Sequence, residues 1–108
     1  MKVGLVTYTP EKVGGFDLHV YYAKWADGSV FSAAKEMQND VTCFCDAKAI
    51  RENPNIVAVS KNGPALRKNR KINLPFDFVC PTNEEYQTKV LDFIEGLGRE
   101  KIQGVTLN

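Results

Sequence analysis

Histidine is almost absent from this 108-residue chain, which has one, His19. Chemistry built on paired imidazoles within the chain is thereby excluded, and most acid–base schemes would have to run on carboxylates. Cysteine is sparse and odd in number: Cys43, Cys45 and Cys80. An odd set cannot pair completely, and Cys43 and Cys45 lie too close in sequence to bridge each other readily, so no disulfide framework is expected. No stretch approaches the roughly 18 consecutive apolar residues of a membrane span. Residues 1–7 lack both the apolar core and the small-residue cleavage site of a signal peptide. The expectation is a protein of a reducing cytoplasm, of a cell or of an infected host, with no membrane partner. The motifs G-x-G-x-x-G, H-E-x-x-H and G-x-S-x-G are missing, as are the spaced glycines and terminal Lys-Ser/Thr of a phosphate-binding loop. Charge of one sign is lacking too: 14 Lys and Arg face 13 Asp and Glu. Any attraction to a polyanion must therefore be local.

What is present reads as one ordinary globular domain, 44% hydrophobic and 25% charged. A chain of this size buries roughly two-thirds of its unfolded surface and needs no metal or disulfide to fold. Residues 3–8 read as a strand. Residues 16–25 alternate clearly, with Phe16, Leu18, Val20 and Tyr22 on one face and Asp17, His19, Tyr21, Ala23 and Trp25 on the other. Asp27-Gly28 is a hairpin signal returning the chain into residues 29–31. The first third thus predicts a three-stranded antiparallel meander.

Further on, residues 32–38 read as a short helix and 41–45 as a strand. Asp46 is a suitable N-cap for a helix over 47–52, stopped by Asn53-Pro54. Residues 56–60 and 74–79 read as strands. Thr82 with Glu85 forms a capping box for a long helix, whose stripe is Tyr86, Val90, Phe93, Ile94 and Leu97. Gly98 is its expected left-handed terminator, and residues 102–107 close the fold as an edge strand. The expected fold is α+β: a two-layer sandwich, mainly antiparallel, with the C-terminal helix covering the Phe16, Leu18 and Val20 face.

Several constellations carry residue types suited to chemistry. Cys43, Cys45, Cys80 and His19 supply the atoms of a zinc site, but without the C-x2–4-C turn that such sites usually use, they read as small buried side chains. A thiol nucleophile fails because Asp46 follows Cys45 and would raise its pKa. Asp77, between Phe76 and Phe78, reads as a solvent-facing strand residue. No catalytic residue is assigned, and the chain reads as a non-catalytic binding protein.

Two features suggest what it binds. The segment 61–71, KNGPALRKNRK, holds five positive charges and no negative one, leaving the rest of the chain with a net charge of −4. It connects two expected strands and exceeds the usual connection length. The second feature is the face carrying Tyr21 and Trp25, expected to point away from the first core and suited to stacking bases. The expected binding residues are Lys61, Arg67, Lys68, Arg70, Lys71, Tyr21 and Trp25, and the expected partner is nucleic acid or an acidic protein. An inhibitor or adaptor of the phage or mobile-element type, binding one protein, is the alternative. A homodimer that binds a small ligand, or acts as an enzyme, through the Asp17/His19/Tyr21 face is the third.

Overall fold

The computed structural model describes residues 1–69 and 76–108. Strands β1 (Gly4–Thr7), β2 (Leu18–Lys24) and β3 (Gln38–Val41) come first. They are followed by helix α1 (Ala47–Glu52), a 3-10 turn (Pro54–Ile56) and a small antiparallel hairpin of β4 (Val59–Ser60) and β5 (Gly63–Pro64). A second 3-10 turn (Arg67–Asn69), helix α2 (Glu84–Gly98) and strand β6 (Gly104–Leu107) complete the order. The main sheet runs β1-β2-β3-β6, and every pairing in it is parallel.

The expected antiparallel meander is therefore wrong. Residues 8–17 carry the chain back to the end of the sheet where β1 begins instead of turning it tightly, so β2 pairs in parallel with β1. The Asp27-Gly28 turn does form, with Gly28 at φ +77° and its N–H bonded to the Trp25 carbonyl at 3.1 Å. It yields a single antiparallel bridge, Lys24 to Phe31. The chain then turns again through Glu36, at φ +62°, and enters β3 parallel to β2. The buried Asn39 locks this return: its side chain accepts from the Ala34 N–H at 2.8 Å and donates to the carbonyls of Ala34 (2.9 Å) and Met37 (3.0 Å). The helix expected over 32–38 is absent because these groups are spent on that turn. The strand expected over 56–60 shortens to β4, and that over 74–79 to single bridges at Phe78 and Val79, its first two residues lying outside the described ones.

Helix α1 has the expected cap, the Asp46 carboxylate accepting from the Ala49 N–H at 2.8 Å. Helix α2 presents the expected stripe, with Tyr86, Val90 and Leu97 buried. Its N-cap is Asn83 rather than Thr82, the Asn83 side chain taking the Tyr86 N–H at 2.8 Å. Arg99 ends it in right-handed geometry, so Gly98 is not a left-handed terminator.

The stripe of α2 covers the opposite sheet face from the one expected. Leu97 packs with Tyr21, Ala23, Ala34, Met37 and Val41. A second cluster joins α1 and α2 through Ile50, Ile56, Val79, Tyr86 and Val90. Leu18 and Val6, on the other face, stay 48% and 52% exposed. Parallel sheets are normally covered on both sides; here the β1–β2 half of one side is open.

Candidate functional site

The open side carries a row of aromatic rings, and a β-bulge builds it. Between Tyr22 and Lys24 the pairing with β3 slips: Tyr22 opposes Asp40, and Lys24 opposes Val41. The extra residue puts Ala23 and Lys24 both inside, each fully buried. Alternation is thereby shifted by one, and Trp25 emerges on the Tyr22 side. The two rings lie 4.6 Å apart between centroids. Tyr8, just past the end of β1, completes a triangle at 4.9 Å from Tyr22 and 5.5 Å from Trp25. All three sit at the carboxyl ends of parallel strands, where ligand sites of open parallel sheets collect.

The row continues to the basic segment. Trp25 meets Phe76 edge-on at 6.1 Å, and Phe76 meets Phe78 at 6.3 Å. Phe78 donates its N–H to the Ala65 carbonyl at 3.1 Å, and the Asp77 carboxylate accepts the Arg67 N–H at 2.6 Å. Asp77 thus fastens the start of the 3-10 turn Arg67–Asn69 beside the rings. Lys61, at the β4–β5 turn, and Arg67 and Lys68 are exposed. Arg70 and Lys71 lie outside the described residues.

Tyr21 sits elsewhere. It is 3% exposed under α2, and its hydroxyl pairs with the Ser32 hydroxyl at 2.7 Å. The stacking surface is instead made by Tyr8, Tyr22 and Phe76 with Trp25. Strict alternation assigned Tyr22 to the core, because nothing in the residue string marks the bulge. Asp17, His19 and Tyr21 do not converge either. Asp17 accepts the Val3 N–H at 2.7 Å, and the buried His19 accepts the Val13 N–H through Nδ1 at 3.3 Å, each fastening a neighbouring loop.

Two buried charges dominate the interior. Lys24 donates from Nζ to the carbonyls of Thr42 (2.6 Å) and Cys45 (2.9 Å), with Nζ 5.3 Å from the centre of the Phe31 ring. Burial lowers its pKa to about 8, against the opposing pull of Asp46. Asp46 caps α1 and accepts the Tyr86 hydroxyl at 2.7 Å; Tyr86, desolvated and bonded to that carboxylate, holds its proton far above the usual tyrosine range. On the open side Asp40 is 7% exposed, and burial raises its carboxyl pKa.

Among the described residues no three of His, Cys, Asp and Glu gather as a metal site, so Cys43, Cys45, Cys80 and His19 do not form one. Nor is any helix among them long and apolar enough to cross a membrane. No family model, curated protein or solved structure matches this chain.

Proposed function

We propose that the protein binds single-stranded nucleic acid along the row Tyr8, Tyr22, Trp25 and Phe76, with phosphates meeting Lys61, Arg67 and Lys68. The observation that carries this reading is the Trp25–Phe76 contact, which joins the rings on the open sheet face to the segment hydrogen-bonded with Ala65 and Arg67. Each stacked base contributes about 1–3 kcal/mol. Each phosphate contact on a single strand adds about −0.7 to the slope of log affinity against log salt. A duplex hides its base faces, so the rings favour unpaired strands. The reading carries no catalytic step and places the protein's work in a cytoplasm, of a cell or an infected host.

The test is fluorescence anisotropy with labelled 12-mer DNA and RNA at low and moderate salt, together with quenching of Trp25, the sole tryptophan. Tyr22→Ala should weaken binding at least about fivefold at either salt. Changing Lys61, Arg67 and Lys68 together to Glu should flatten the salt slope. Equal, negligible binding by the native chain and both variants refutes the reading.

A second reading has its own observation. Val3, Val6 and Leu18, on or beside strands β1 and β2, are 47%, 52% and 48% exposed. That apolar surface suits a protein partner or a second copy of the chain, as for the inhibitor or adaptor alternative. Recovery of one stoichiometric partner after nuclease treatment, or a dimer in sedimentation, supports it. Loss of neither on Leu18→Glu removes it.

A further inference from the structure

Beside Tyr22 in the row of rings stands a carboxylate with one acceptor oxygen unused among the described residues. Asp40 lies directly opposite Tyr22 in the β2–β3 register, so both side chains project from the same face of the sheet, one strand spacing apart. It is 7% exposed, and its Oδ1 is buried without a hydrogen-bond partner among the described residues. Two positions along, Thr42 Oγ1 is buried and unpartnered as well. A buried acceptor left unmet keeps the cost of its desolvation. That cost is recovered when a ligand brings the donor. Asn108, whose side chain hydrogen-bonds this carboxylate, is exposed, and its place is the one a donor from a ligand would take.

We propose that Asp40 reads the base stacked on Tyr22 and selects guanine. This rests on the single-strand reading above and deepens it. An ionised carboxylate only accepts hydrogen bonds. Guanine alone sets two donors, the N1–H and the 2-amino group, side by side on its Watson–Crick edge. Thymine and uracil flank their one ring N–H with two carbonyl oxygens, which a carboxylate repels. Single-stranded bases leave this edge open to a side chain.

The experiment compares the native chain on three labelled single-stranded 12-mers: oligo-dT, the same strand with two central guanines, and the same with two central hypoxanthines, which keep the ring N–H and lose the 2-amino group. Guanine should bind about tenfold tighter than thymine, with hypoxanthine between them. Asp40→Asn, which turns one acceptor into a donor and removes the repulsion of the thymine carbonyls, should bring the guanine strand to within about twofold of oligo-dT. Its folding is checked by circular dichroism, and the native comparison stands without it. Equal affinity of the native chain for all three strands overturns the role of Asp40 and leaves stacking intact. A guanine preference surviving in folded Asp40→Asn does the same. Binding to none of the strands overturns both readings.

Discussion

Lys24 makes the stability of this protein rise with pH over a range where most proteins gain nothing. Its ammonium is fully buried, and its pKa falls from 10.5 to about 8 because burial penalises the charged form. Two carbonyls and the attraction of Asp46 offset that penalty only in part. The unfolded chain binds this proton more tightly than the folded one, so the penalty is complete below pH 8. It fades as pH climbs through the folded value toward the unfolded one. A drop of that size corresponds to about 3 kcal/mol. Of this, about 2 kcal/mol should return between pH 7 and pH 9.5. Burial raises the Cys43 pKa, so that thiol works in the opposite direction; the native slope must therefore be measured against a variant. Urea unfolding followed by circular dichroism at several pH values, for the native chain and Lys24→Met, isolates the effect. The variant removes the donor to the Thr42 and Cys45 carbonyls, which shifts its whole curve, and it removes the charge that holds the Cys43 pKa down, which widens the difference in the same sense. The native curve should gain about 2 kcal/mol more than the variant over this window. Parallel curves would refute the assignment.

Gly28→Ala should cost at least about 2 kcal/mol, since φ +77° is unfavourable for alanine and a Cβ there collides with the carboxylate of Asp46, which holds the α1 cap and Tyr86. Gly14→Ala, with open space at its Cβ, is the control; equal urea midpoints for the two variants would contradict the collision. Among the thiols Cys80 should alkylate first. Its pKa is lowered by the Thr82 hydroxyl 3.0 Å away, whereas burial raises that of Cys43 and Cys45 is 6% exposed. Iodoacetamide labelling read by mass spectrometry decides this, and Cys43 reacting first would count against it.

The α2 stripe was legible because Tyr86, Val90 and Leu97 repeat at helical spacing and bury as that spacing requires. The cap at Asp46 and the turn at Gly28 were legible because each depends on one residue's own chemistry. The basic segment needed only a count of charges, and its residues Lys61, Arg67 and Lys68 are exposed.

Strand direction was not legible. Pairing β1 with β2 in parallel depends on where residues 8–17 cross, and β3 is set by side-chain bonds from Asn39 to a turn five residues earlier. Nor was the side that α2 covers, since both faces of β2 carry apolar residues. The alternation of residues 16–25 determined that two faces exist. Only the tertiary structure decided which is covered, and the bulge at Ala23 and Lys24 moved Trp25 from the face of Tyr21 to the face of Tyr22. The physical reason is that periodicity is a local property of the chain. Register, direction and burial belong to contacts between segments far apart in sequence, which the string of residues does not contain.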